Sequence, residues 1–353
     1  MLVAEKPKSQ NGDPGDFMLP RPERTRLASS GDSKPTLTVT RGPLATTVEI
    51  TSQFLGGSRV RRLIHFYENY PRIDFETELN DIPDLTVVVA EFPLAQDIEE
   101  VRRAIPNGFS HGAWAKPNPE LPGWTKGIVP AVGWIHYTLA GGGGVAILDR
   151  GLSGRELNGR TPIIYLLNAT DKYYGWPNPW LSGKGKNVLA YALVAHEENW
   201  DQARIPHMAW EYNCPPILLS DKQPFPEKPF VQTSNNLIVP VIRREGREIE
   251  MRLIECLGHP GTAEVTLSLP HQGAALTDLR GRNPHALEGG PTYRFPVRPQ
   301  QIVTIRFHVD SAVEEIKPIL KWDDLVPPSK RAALHQYGNH KGHPPRGDNA
   351  PIL

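Results

Sequence analysis

The sequence predicts an all-β protein, a large antiparallel β-sandwich followed by a smaller one. Period-two alternation of apolar and polar residues recurs from Leu37 to Val309. Pro and Gly, at 36 and 31 of 353 residues, break that alternation into short runs, as turns between strands require. The plausible helical turns, Ala312 to Lys317 and Ser329 to His335, fall after the last of these runs.

Residues 1–35 are polar and rich in Pro, Gly, Ser and Asp, and they read as an irregular arm. A first β unit is expected over residues 36–219. Its opening strands are Thr36 to Thr40, Thr47 to Thr51 and Arg59 to Tyr67. The clearest strand is Arg72 to Leu79. Ile73, Phe75, Thr77 and Leu79 share one face, and Arg72, Asp74, Glu76 and Glu78 the other, so one face packs and one is wetted. Leu85 to Phe92, Gly133 to Leu139, Val145 to Leu148, Ile163 to Leu167 and Val188 to His196 follow. The Pro-rich stretch 220–229 reads as a linker. A second unit over 230–309 holds Leu237 to Arg243, Glu248 to Cys256, Ala263 to Leu269 and Tyr293 to Val309, the size of a small sandwich. Residues 310–353 read as a largely disordered tail.

Acidic and basic residues balance at 39 each, so the chain has no electrostatic footprint for nucleic acid or an anionic membrane. No apolar run approaches the roughly 18 residues of a spanning helix, and the N-terminus lacks a signal-peptide core. The expected location is cytoplasmic. A neutral partner such as a carbohydrate stays open. The two cysteines, Cys214 and Cys256, have no metal or redox spacing and are expected to be free and buried, with a single disulfide as the alternative.

Sugar hydrolysis usually needs two carboxyl groups flanking one bond. Asp74 and Glu76 share a strand face about 6.6 Å apart by strand rise, but a charged outer face with Arg72 as partner produces the same spacing. His196-Glu-Glu carries half of a zinc-protease motif, without the second His and on a strand pattern rather than a helix. Gly141 to Gly144 is followed by a strand, so it reads as a hairpin turn and not a phosphate loop. Ser153 is not in a nucleophile elbow, and no triad can be assembled. Tyr173 to Trp180 is an aromatic, proline-stiffened loop; Trp176 and Trp180 could stack on a sugar face or fill a core. His335, His340 and His343 in the tail offer at most weak metal binding. No metal site and no cofactor are expected.

A series of segments in fixed order resembles one family. They begin with Gly42-Pro-Leu44 and Tyr70-Pro-Arg-Ile-Asp-Phe-Glu-Thr77, then Glu91 to Leu94, Ile105-Pro-Asn-Gly-Phe109 and Val129 to Trp134. Gly144 to Gly151, Tyr191 to His196 with Trp200, and Tyr212-Asn-x-Pro215 follow. Met251 to Gly258 and Val297 to Arg306 complete the series in the second unit. Together they resemble the C-terminal region of glycoside hydrolase family 38 α-mannosidases, over roughly residues 40–308.

The resemblance implies a galactose mutarotase-like β supersandwich with a smaller β-sandwich after it. It also implies a carbohydrate-active role tied to mannose metabolism, retaining hydrolysis of α-mannosides in the complete enzyme. In the family, zinc, a nucleophilic aspartate and an acid aspartate belong to a β/α barrel, for which residues 1–35 leave no room. No catalytic residue is therefore expected here, and the isolated chain is expected to be inactive. The hairpin at Asp149 and Arg150 is the position expected to help complete a sugar cleft, alongside Trp176 and Trp180; a surface Asp–Arg turn is the alternative. Expected partners are a mannoside ligand and either a separately encoded catalytic barrel or a second copy of the chain. A non-catalytic carbohydrate-binding or structural β module is the alternative function.

Overall fold

The computed structural model describes residues 1–7, 24–114, 128–173, 176–177, 182–216 and 229–310. Almost all of the ordered backbone within them is antiparallel strand, as the alternation predicts.

Two sheets form the first unit. One orders its six strands Ile128–Pro130, Gly154–Asn158, Thr161–Ala169, Thr86–Glu91, Leu2–Pro7 and Arg24–Ser29. The other has nine, in the order Thr36–Arg41, Ala45–Phe54, Ser58–Tyr67, Arg72–Asn80, Lys186–His196, Gly144–Asp149, Trp134–Leu139, Ile98–Ile105 and Gly108–Gly112. The core between them takes Leu2, Ala4, Val88 and Ile164 from the first and Val60, Leu79, Ile135 and Ile147 from the second. Each large aliphatic there contributes about 1.5–3 kcal/mol by leaving water. The glycine run is a turn: Gly142 and Gly143 have φ of 91° and 71° between the paired strands Trp134–Leu139 and Gly144–Asp149.

The irregular arm expected at the N-terminus is corrected, because Leu2–Pro7 pairs with both Thr86–Glu91 and Arg24–Ser29. Its polar residues concealed it. Glu5 and Arg24 are buried against each other at 3.3 Å, and Arg24 lies over the Tyr165 ring. Apolar Leu2 and Ala4 fill one core while Val3 packs in another, so both faces are buried and no alternation shows.

One helix occurs among the described residues, Ile205–Asn213, and the sequence reading had missed it. Nine residues with Pro206 in the first turn make a weak helical signal, though proline is tolerated there. Ile205, Ala209 and Tyr212 face the nine-stranded sheet, where Ala146 and Ala192 are small enough to admit them. The helical turns expected at 312–317 and 329–335, the tail, and the linker up to its last residue lie outside the described residues.

The second unit stacks a three-stranded sheet (Val231–Thr233, Gly261–Leu267, Thr292–Val297) and a five-stranded one (Leu237–Glu245, Glu248–Glu255, Ile302–Val309, His271–Thr277, His285–Leu287) around Met251, Val265, Phe295 and Phe307. The run Tyr293 to Val309 is therefore two strands in different sheets, separated at Arg298 to Gln301. Both cysteines are free; Cys256 is buried as expected, but Cys214 is exposed just past the helix.

The two units are joined by a polar latch. Glu255 accepts the amides of Leu257, Gly258 and Gln300, and the Gln300 side chain accepts the Phe109 amide at 2.7 Å. Gly258, at φ 79°, lies against the Phe109 ring, and a Cβ there would come within 2.8 Å of it.

Candidate functional site

Several of the segments singled out in the sequence, Arg72–Asn80, Trp134–Leu139, Gly144–Asp149 and Lys186–His196, lie in the nine-stranded sheet and share one of its faces. Cross-strand register sets Asp74 beside Ala192, and Leu148 beside both Ala192 and Trp134. One row over, Arg72, Val194, Ala146, His136 and Arg102 are neighbours in turn. The helix Ile205–Asn213 covers part of this face, and its far end delivers Tyr212.

Arg72 is the hub at the helix end. Its guanidinium grips Asp74 through two bonds, Nε at 2.6 Å and Nη2 at 3.0 Å. The same cation lies 5.7, 5.2 and 5.1 Å from the ring centres of Tyr67, Tyr70 and Tyr212. Tyr67 donates its hydroxyl to Asp74, and Tyr70 donates its own to Glu211 on the helix. Burial, then the Glu211 carboxylate, push the Tyr70 hydroxyl up to about 12, so it stays a donor at neutral pH. Asp74 thus binds Arg72 and Tyr67, which is the structural use that a charged outer face allows and not an acid/base pair with Glu76.

Arg150 adjoins this cluster. It lies 4.5 Å from the centre of the Tyr212 ring, and its Nε donates to the Tyr212 carbonyl at 3.0 Å. The residue itself is exposed. Asp149 is not: it is 1% exposed, pairs with Arg155 rather than Arg150, and accepts the Leu152 amide at 2.8 Å. Burial raises the Asp149 carboxyl above its usual range, while Arg155 and the Leu152 amide pull it back down. Arg155 also donates to the carbonyls of Leu152 and Gly154. Asp149, expected at the ligand surface, is therefore buried inside the loop, and the surface Asp–Arg turn given as the alternative is corrected, since the pair is Asp149 with Arg155 and is internal. It holds the loop that presents Arg150.

Trp176 is in the short hairpin strand Trp176–Pro177; its side chain, like all of Trp180, lies outside the described residues. Sequence reasoning missed Tyr67, Tyr70 and Arg155. The first two precede Arg72 by five and two positions across a tight turn, a spacing no simple strand pattern flags.

At the other end of the face, His136 and His196 meet beside Trp200, whose ring also carries Arg102 at 5.3 Å. Among the described residues no three His, Cys, Asp or Glu side chains converge on a point that could hold a metal ion. The zinc implied by the resemblance therefore has no fitting donor set among the described residues. No described helix is long and apolar enough to cross a membrane.

No protein-family model matches the chain. Alpha-mannosidase 2C1 of Mus musculus is 24% identical to it over 248 residues, 68% of this chain but 23% of the mouse protein. An alpha-mannosidase from Enterococcus faecalis V583 superposes with a TM-score of 0.70 at 14% identity, over 87% of this chain and 38% of that one. A glycosyl hydrolase family 38 protein from Enterococcus faecalis gives 0.68 at 13% identity, over 87% and 40%. The chain thus spans about a quarter of the curated relative and about two fifths of the solved ones. Sequence and fold together support its likeness to the C-terminal β part of family 38 α-mannosidases.

Proposed function

We propose that this chain is the carbohydrate-recognising β part of an α-mannosidase-type glycoside hydrolase. In this reading the retaining hydrolysis of an α-mannoside, with its zinc ion, takes place in a catalytic part that works with it, either a separately encoded barrel or a longer form of the protein. The supporting observation is the pairing of coverages: 87% of this chain superposes on an alpha-mannosidase, yet fills 38% of it.

The residues proposed to meet the sugar are Arg150, from its rigid loop, and Trp176 and Trp180. Asp149 acts through Arg155 to hold the loop that carries Arg150. Arg150 offers guanidinium donors to ring hydroxyls, and Glu211, whose Oε2 takes the Tyr70 hydroxyl, offers its other carboxylate oxygen as an acceptor at the same helix end. Titration of the purified chain with α-1,2-mannobiose tests this, read by ligand-observed NMR. Saturable binding that Arg150→Ala weakens supports the reading, and binding unchanged by Arg150→Ala refutes this assignment of the site. A stand-alone carbohydrate-binding or structural β module is the second reading. The self-contained second sandwich, with its own core, favours it.

A further inference from the structure

A cleft of about 770 Å³ opens in the second sandwich, where the chain leaves Gly261–Leu267 and crosses through Ser268 to Pro270 into His271–Thr277. It belongs to a different unit from the Arg72 and Arg150 cluster and shares no residue with it. The volume falls in the range of about 300–1,000 Å³ typical of small-molecule sites. We infer that this cleft is a second binding site, for a neutral oligosaccharide.

The lining chemistry selects that class. No Asp, Glu, Lys or Arg contributes to the wall, so nothing there rewards a charged ligand. Two side-chain amides face it, Gln232 from the edge strand Val231–Thr233 and Gln272 from the opposite sheet. An amide offers donor and acceptor together, the pairing that adjacent sugar hydroxyls require. Among the described residues the Gln232 amide makes no hydrogen bond, whereas Gln272 donates to Asp310 at 3.1 Å and keeps its carbonyl oxygen for a ligand. Pro229 and Pro291 supply rigid apolar surface for the C–H face of a pyranose ring.

The cleft is also built rather than accidental. Gly289 and Gly290, at φ 126° and 132°, line it with bare backbone. A Cβ on Gly289 would come within 2.9 Å of the Thr292 carbonyl, so side chains are excluded where the wall is tightest. Behind them His271 is fixed at both nitrogens. Its Nδ1 donates to the Leu269 carbonyl at 2.7 Å, and its Nε2 accepts the Tyr293 hydroxyl at 3.0 Å. That pair ties the crossing segment to the strand Thr292–Val297.

This inference stands on the cleft alone and does not depend on the α-mannosidase reading. Calorimetric titration of the full chain with α-linked mannotriose, cellotriose and maltotriose tests it, with trigalacturonate as the anionic control. At least one neutral trisaccharide should bind saturably and trigalacturonate should not. In an Arg150→Ala background, which removes the first-unit contact proposed above, Gln232→Ala with Gln272→Ala should weaken the remaining binding at least tenfold. Both glutamines are exposed, so the double variant should keep its thermal midpoint. Absence of binding by all three neutral sugars, equal binding of trigalacturonate, or full affinity in a folded double variant would each overturn the proposal. Binding lost in Arg150→Ala but kept in the glutamine variant would assign the sugar to the first unit and also overturn it.

Discussion

His136 and His196 face each other Nε2 to Nε2 at 2.9 Å over the bare backbone of Gly144. The hydrogen-bond geometry assigns their protons. His196 Nδ1 must donate to the Glu198 carbonyl, 3.0 Å away, so its Nε2 is the acceptor and His136 Nε2 the donor. His136 Nδ1 is left without a partner. Both rings fit as neutral imidazoles, since a proton added at the buried His136 Nδ1 would find no acceptor. Burial, then the neighbouring His196 and Arg102, bring His136 down to about 3.

A depressed folded-state value makes this histidine an acid-labile element. Its stabilising contribution is whole above the unfolded value near 6.5 and is lost as pH falls from there toward 3. Between pH 7 and pH 5 the wild-type chain should lose on the order of 2 kcal/mol more than His136→Gln. Urea unfolding at both pH values measures it. Equal losses would show that His136 is protonated in the folded protein.

Gly144 is the condition for that contact. A Cβ there would come within 2.3 Å of His136 Nε2 and 2.9 Å of His196 Nε2. Gly144→Ala should therefore cost about 1–3 kcal/mol by overpacking. The cost should shrink in a His136→Ala background, which a double-mutant cycle in urea would show.

The Asp149 loop separates stability from recognition. Asp149→Ala strands the fully buried Arg155 and should cost about 3–5 kcal/mol. Arg150→Ala loses an exposed cation–π contact worth about 0.5–1 kcal/mol. Thermal melts of the two variants check this, and similar losses would contradict the division of roles.

The strand Thr36–Arg41 ends the nine-stranded sheet and is exposed along its length. Leu37 and Val39 on the edge strand Thr36–Arg41 are 60% and 56% exposed, and Leu44 and Phe66 lie close by in sequence register. An apolar edge strand recruits other chains. The purified chain should self-associate with rising concentration, and Leu37→Lys with Val39→Lys should reduce it, as read by light scattering. A monomer over a wide concentration range would count against this.

Most strands between Thr36 and His196 were legible, as alternating runs such as Arg72–Asn80 or as short apolar runs bounded by turns such as Thr86–Glu91 and Gly144–Asp149, which are buried on both faces. Leu2–Pro7 was not, because Glu5 is buried with Arg24 and broke the pattern. The turn that exposes Arg150 was legible as the end of a hairpin strand. The partner of Asp149 was not: Arg155 is six residues on, inside a strand whose burial depends on the opposite layer. The Arg72 hub needed the helix that brings Tyr212, and nine residues carry too little periodicity to announce it.

Turnover of a chromogenic α-mannoside by the highly purified chain, with and without added zinc, tests the central claim most directly. A recognition part that works beside a catalytic part predicts no release above the blank in either condition. Release that is abolished by a substitution within this chain would contradict it.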